Sequence, residues 1–243
     1  LMDKSQLAQS IFRKASPQDI EAAWQILEQG KAQMLREGKR QWSATLPNRA
    51  GVERDVARGT GHVLEFEGEV IAYGSVAING EPEYERLSGT WITEGDYVVV
   101  HRFAVADSCK RCGVARHFMQ CVEKQALEAG VKSSKIDTNY DNFYMHRLLR
   151  GMGYRYCGTV VYPQGSRMCY EHVLEPENAP ADAQLLATEF YHIGNSFMQI
   201  GESQQAVANY YKAIELDPKS PAAEAIEHYK AIMDFYNKDL YNP

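Results

Sequence analysis

The residues best equipped for chemistry lie at positions 101–115. Val105-Ala106-Asp107-Ser108-Cys109-Lys110-Arg111-Cys112-Gly113-Val114-Ala115 reads as the end of a strand, a basic turn and the start of a helix. Such a helix start presents unpaired backbone N–H groups and a partial positive charge, which suit a phosphate. Gly113 removes a Cβ where a ligand must approach the backbone. Lys110 and Arg111 supply cationic donors for a pyrophosphate. The same residues also fit a basic turn capping an ordinary amphipathic helix. His101, on the strand before the turn, titrates near neutrality and can take a proton directly or through water. It reads equally as a core histidine. Strand alternation sends Arg102 to the opposite face of the sheet from His101.

Cys109 and Cys112 form a C-x-x-C, with Cys121 nearby, in a chain of five cysteines. An odd number in a chain this long is no disulfide framework. A zinc site wants about four ligands. His117 stands alone and no second C-x-x-C follows, so no metal site is expected. A redox role for the pair stays open beside the simpler reading of reduced thiols. Cys157 and Cys169 fall in strands and read as core packing.

The elements around these residues follow from pattern. Ser16-Pro17-Gln18-Asp19 opens a helix with a hydroxyl cap, Pro at the first position and an early acid. Ile20, Ala23, Trp24 and Leu27 recur at helical spacing, Gly30 ends the run, and a second helix covers 31–37. A short charged helix spans 50–58. Strands at 62–66 and 70–78 flank a tight turn, and 79–96 is a long connection rich in Gly, Glu and aromatics. A strand at 97–105, a helix at 113–129, a strand at 133–138, a helix at 142–152 and a hairpin of 154–162 and 167–174 complete an α/β domain with a mixed sheet.

The turn resembles the signature motif of the GNAT superfamily of N-acetyltransferases, R/Q-x-x-G-x-G/A. Phe103-Ala104-Val105 matches its apolar strand and Lys110-Arg111-Cys112-Gly113-Val114-Ala115 its loop. Asn142, opening a helix that ends in Gly153-Tyr154, is similar to the family's N…G-F motif, and the order of elements over 11–174 matches that fold. The resemblance implies an acyl-CoA N-acyltransferase fold and acetyl-CoA as co-substrate. It implies cofactor contacts at Phe103, Ala104, Val105, Lys110, Arg111, Cys112, Gly113, Val114, Ala115 and Asn142. Lys110 departs from Arg or Gln, keeping charge without bidentate geometry. Leu149 stands where many members place a Tyr that protonates the departing thiolate, so that role is vacant or falls to Tyr144, Tyr140 or water.

Amine acetylation needs a neutral amine, a donor for the tetrahedral oxyanion and protonation of the thiolate. His101 and Tyr144 are the candidate catalytic residues. Trp42, Tyr84, Trp91, Tyr97 and the pair Asn139-Tyr140 are candidates for the acceptor pocket, with Trp42, Tyr84, Trp91 and Tyr140 foremost. Sheet-edge cover is an equal reading of these aromatics. Glu81, Glu83, Glu85, Glu94 and Asp96 suit a cationic acceptor, or form a solvated face.

The expected organisation is a domain over 10–175, a Pro-, Glu- and Ala-rich linker over 176–183, and an all-α tail over 184–243. Phe190, Ile193-Gly194, Phe197, Ala206, Tyr210, Ala213 and Pro218 resemble one tetratricopeptide repeat. Pro221 starts a third helix with Ala225, Tyr229, Ile232 and Tyr236 spaced for one buried face. One repeat cannot bury its own core, so the tail packs on its own domain, on a second subunit as a dimerising appendage, or on a partner. The net charge of −6 argues against nucleic acid and anionic membrane as partners. No apolar run approaches the roughly 20 residues of a membrane span. The polar start lacks a signal peptide's apolar core, which predicts a cytoplasmic protein. Three classes compete: an N-acetyltransferase acting on a small-molecule or protein amine, an inactive CoA-binding interaction module, and a redox or metal protein.

Overall fold

The computed structural model describes residues 4–43, 45–174 and 183–240. Its contacts divide the chain into two compact units, Leu1–Pro176 and Glu177–Pro243.

In the first unit, helix α1 (Lys4–Leu7) precedes edge strand β1 (Ile11–Lys14). Asp19 closes a short 3-10 turn (Pro17–Asp19) leading into α2 (Ile20–Arg36). Its carboxylate accepts from the Ser16 N–H at 2.7 Å and from Arg13 at 2.7 and 2.8 Å. Gly30 does not end this helix, and the two helices expected here are one. A Cβ at Gly30 would lie 2.9 Å from Trp42 Cζ3 and 3.5 Å from Ala104 Cβ. The glycine therefore serves close approach, which a sequence pattern cannot tell from helix termination.

Helix α3 (Arg49–Arg58) starts at Asn48, whose side chain accepts the Gly51 N–H at 2.9 Å. Strands β2 (Gly61–Phe66) and β3 (Glu69–Ile78) follow, then a 3-10 turn (Pro82–Arg86) and the short strand β4 (Ser88–Gly89). The remaining elements are β5 (Val98–Val105), α4 (Val114–Glu128), β6 (Ser133–Thr138), α5 (Phe143–Gly151), β7 (Arg155–Tyr162) and β8 (Gly165–Val173). The strands form one sheet in the order β1-β2-β3-β5-β6-β8-β7-β4, antiparallel throughout except between β5 and β6.

Neighbouring residues of β3 show the two faces. Tyr73 packs with Ala23, Ile26, Leu27, Val52 and Ala104, so α2 and α3 cover its side. Gly74 points to α4: a Cβ there would meet Phe118 at 3.0 Å and Val100 at 3.2 Å. The Phe118 ring stands 5.1 Å from Phe12 and 4.9 Å from Phe103. Arg116 on α4 donates to the Gly151 carbonyl at 2.8 Å, tying α4 to α5. Tyr84, Trp91 and Tyr97 from the 79–96 segment and its end pack with Val99, Val160 and Cys169 in a second apolar cluster.

Two irregularities in β5 shape the centre of the sheet. First, Tyr73 pairs with Ala104 but Ser75 pairs with His101, so β5 carries one extra residue in a bulge. Arg102, at φ 51°, is the left-handed residue of that bulge. Second, β5 and β6 pair only at Val98–Ser134 and Val99–Lys135. Beyond Val99 the two strands part, leaving an opening in the sheet.

The second unit is helical: α6 (Ala183–Gln199), α7 (Ser203–Leu216) and α8 (Ala222–Leu240). Gly194 allows α6 and α7 to meet, since a Cβ there would lie 2.5 Å from Tyr210 Cε1. Ile193, Phe197, Ala206, Tyr210 and Ala213 are buried, and Tyr210 donates to Asn195 Oδ1 at 2.7 Å. Among the residues of α8 whose burial is described, Ala222 and Ile226 are buried, Ala225 and Tyr229 are more exposed and Ile232 is exposed. The expected stripe is thus displaced, because Ala222 and Ile226 offer a second apolar row at the same spacing. The Tyr236 side chain and nearly all of the expected linker lie outside the described residues.

Candidate active site

The basic turn joins β5 to the head of α4. After β5, a 3-10 turn (Asp107–Cys109) leads to Lys110 in extended conformation. Arg111 and Gly113 then adopt left-handed backbone, with φ of 65° and 84°. Gly113 caps α4 without any side-chain acceptor, and the first bond into the helix runs from the His117 N–H to the Gly113 carbonyl at 3.0 Å. The N–H groups at the head of α4 therefore point outward with no partner inside the helix. Helix α2 holds the turn from below: Gln29 accepts the Asp107 N–H at 2.8 Å, and Gln33 accepts from the Lys110 ammonium at 2.5 Å. Lys110 is also paired with Asp107.

A cleft of about 380 Å³ runs along this turn. Phe103, Ala104, Val105, Lys110, Arg111, Gly113, Val114, Ala115 and Asn142 all line it. Cys112 does not; its Sγ–H points at the Lys110 carbonyl, 3.5 Å away, and Cys109 lines the cleft instead. The contribution of α2 and the residues after it, Gly30, Gln33, Met34, Glu37 and Lys39, was missed. Their only signal in the sequence was a glycine inside a helical pattern. Asn142 caps α5 by accepting the Met145 N–H at 3.3 Å and donates to Gln41 Oε1 at 3.1 Å.

Tyr144 lines the same cleft at its solvent edge, 62% exposed. Its hydroxyl lies 3.4 Å from Glu37 Oε1, and the Lys39 ammonium sits 4.0 Å from its ring centroid. Leu149 is fully buried, whereas Leu148 faces the cleft, so the second turn of α5 brings no hydroxyl to it.

A second cavity, of about 210 Å³, adjoins the cleft where β5 and β6 part, and shares Met34, Trp42, Phe103, Asn142 and Met145 with it. His101 and Arg102 both line this cavity, contrary to the alternation expected of a regular strand. The bulge resets the phase: His101 and Arg102 face one side, and Phe103 turns to Phe118 on the other. Arg102 is anchored bidentately on the buried Asp55, at 2.8 and 2.5 Å, and Asp55 also accepts from Tyr73 at 2.7 Å.

His101 Nε2 lies 3.3 Å from Glu81 Oε2. Burial lowers the His101 pKa, keeping the imidazole neutral near pH 7. Burial raises Glu81 to about 7, helped by its hydrogen bond with Glu83 and the nearby charge of Asp137. The pair can therefore hold one proton between them. Of the acids expected to face a cationic acceptor, Glu81 alone lines the cavity; Glu85, Glu94 and Asp96 are exposed to solvent. Asp137, Tyr162 and Arg167 also line it and escaped the sequence reading, because β6 and the closing hairpin carry no motif.

The expected acceptor aromatics separate. Trp42 stands in the wall shared by cleft and cavity. Tyr84 and Trp91 pack on each other at 4.9 Å within the apolar cluster, away from the cavity lining. Tyr84 reaches the site only through its hydroxyl, which donates to Asp137 at 2.9 Å. Tyr97 packs beside them, 5.6 Å from Tyr84. Tyr140 lines neither space; its carbonyl lies 3.2 Å from His146 Nε2. Asn139 supports the cavity from behind through a bond to Arg167 at 3.2 Å. All five cysteines are free, and no group of three metal-ligating side chains occurs among the described residues.

The sheet thus splits between β5 and β6 beside the head of α4, and the cavity there holds a paired histidine and carboxylate. The sequence profile of the acetyltransferase (GNAT) family matches residues 21–154, and the chain belongs to that family and is an acetyltransferase. Its fold is similar to that of a GNAT-family acetyltransferase from Streptococcus agalactiae 2603, 26% identical over 69% of this chain and 96% of that one, with a TM-score of 0.63. A GNAT-family acetyltransferase from Listeria monocytogenes 4b F2365 shares the fold at 17% identity, covering 68% of this chain and 94% of that one, with a TM-score of 0.55. So does a ribosomal-protein-alanine N-acetyltransferase from Brucella melitensis, at 19% identity, 67% and 99% coverage, and a TM-score of 0.50. No curated protein sequence matches the chain. No helix among the described residues is long and apolar enough to cross a membrane.

Proposed function

We propose that the enzyme transfers acetyl from acetyl-CoA to a primary amine by direct attack on the thioester. The observation that supports this reading is the junction of the two spaces: the cleft along the basic turn and the cavity that holds the His101–Glu81 pair share Met34, Trp42, Phe103, Asn142 and Met145. The head of α4, Lys110 and Arg111 would hold the pyrophosphate, and Phe103 to Val105 the pantetheine arm. When bound, acetyl-CoA supplies the activated carbonyl. The bulge at Arg102 and Phe103 lies beside the gap between β5 and β6, and a backbone N–H there is the candidate donor to a developing oxyanion.

An incoming ammonium must lose a proton before it can attack. The His101–Glu81 pair accepts it, with neutral His101 nearest the parting of the strands. Tyr144, at the cleft edge, protonates the departing thiolate directly or through water. No protein nucleophile is required, and Cys157 and Cys169 are buried with thiol pKa values raised by burial to about 12 and well above the ordinary range. The five free thiols support a reducing, cytoplasmic setting. We read α6 and α7 as a single tetratricopeptide-like hairpin that serves a dimer or partner contact, supported by the close approach at Gly194. Incubation with acetyl-CoA and a panel of amines, following thiol release, tests the catalytic reading. Turnover well above hydrolysis is expected, and its absence for every amine would leave the alternative of a CoA-binding interaction module.

A further inference from the structure

Two arginines line the acceptor cavity, and their surroundings differ. Arg102 has its anion already: Asp55 takes both arms of the guanidinium at 2.8 and 2.5 Å. Arg167 has none. Only 9% of it is exposed, yet its bonds are long and go to neutral oxygens, Asn139 Oδ1 at 3.2 Å and the Gln41 carbonyl at 3.4 Å. Asp137 Oδ2 lies 4.0 Å from its Nε, beyond hydrogen-bonding reach. A buried guanidinium is ordinarily matched by a carboxylate in bidentate contact, because desolvating the charge is costly otherwise. Arg167 lines the cavity with that match unmade.

At the same cavity the amine-activating pair His101 and Glu81 is in place. The space, about 210 Å³, is smaller than the roughly 300 Å³ at which pockets for drug-sized ligands begin. Resting on the acetyltransferase reading above, we infer that the acceptor is a free amino acid, its amine directed to His101 and Glu81 and its carboxylate to Arg167. Polyamines lack the carboxylate, and a peptide N-terminus has a neutral amide in its place. In the transfer, the amine nitrogen bonds to the thioester carbonyl carbon, the carbon–sulfur bond breaks, and the amine proton leaves to the His101–Glu81 pair. The products are an N-acetyl amino acid and the free thiol of coenzyme A.

The test uses the full chain, acetyl-CoA and thiol release. Each of a set of free amino acids is compared with its carboxamide, its decarboxylated amine and a tetrapeptide beginning with the same residue. At least one free amino acid should exceed its three counterparts by about tenfold or more in kcat/KM, the scale of one charge-assisted contact. In R167Q that preference should vanish through a raised KM for the amino acid, with the carboxamide little affected, and R167K should restore part of it. Equal or better turnover of carboxamides, amines or peptides in the wild-type protein overturns the inference and leaves the acetyltransferase reading standing. Absence of turnover with all four classes overturns both.

Discussion

Gly30 offers a sharp separation of stability from activity. It lies within α2, where replacing Gly by Ala ordinarily stabilises a helix by about 1 kcal/mol. The added methyl would sit 2.9 Å from Trp42 Cζ3, against about 3.5–4.0 Å for an unstrained carbon contact. The indole must therefore retreat by about 0.6–1.1 Å. Trp42 is only half-buried and lies in a loop, so the retreat costs little stability. It also forms the wall between cleft and cavity, where a displacement near 1 Å can cost up to about a hundredfold in rate. G30A should keep or slightly raise its melting temperature while kcat/KM falls by about ten- to a hundredfold. Thermal unfolding and thiol release, measured on the same samples, give both quantities. In a W42A background the same change should be nearly silent on activity, since the partner of the clash is gone. An undiminished rate in G30A, or an equal loss in both backgrounds, would mean that the Trp42 wall does not govern the rate.

The pH dependence comes from the His101–Glu81 pair. A group that must be unprotonated to act gives a rate that rises with pH through its pKa, so the acid limb should centre near 7, where burial has raised Glu81. E81Q should move that limb downward, toward the lowered value of His101, and H101A should lower the rate while leaving a limb near 7; identical profiles in all three proteins would return both residues to a structural role. R102A would strand the buried Asp55 with only the Tyr73 hydroxyl, which should cost about 3–5 kcal/mol in urea unfolding, against well under 1 kcal/mol if the pair were a surface one.

How far the sequence could lead depended on whether function rests on consecutive residues. The cradle is local: Gly113, the basic turn and the strand before it are contiguous, and all but Cys112 of the expected contacts line the cleft. Helix and strand positions were legible for the same reason, since periodicity over one segment decides them. What escaped depends on distant residues meeting. Gly30 read as a stop signal because its purpose is contact with Trp42 and Ala104. Arg102 was assigned to the wrong face because a single inserted residue, invisible to an alternation rule, turns it beside His101. Arg167 and Asp137 come from strands without motifs and join the site only through sheet order. Tyr84 and Trp91 pack in the apolar cluster with Val99, Val160 and Cys169 rather than lining the cavity of His101.

Calorimetric titration with acetyl-CoA probes the cradle most directly. The wild-type protein should show saturable binding of one molecule per chain. G113E should lose that binding, because a side chain and a negative charge would enter the phosphate position at the head of α4. The thermal transition of G113E should remain, shifted by no more than the strain of a left-handed non-glycine residue, about 1 kcal/mol. Folded G113E that still binds acetyl-CoA as tightly as the wild type would contradict the assignment of the cradle, and a wild-type protein that gives no binding isotherm would contradict the acetyl-CoA-dependent enzyme built on it.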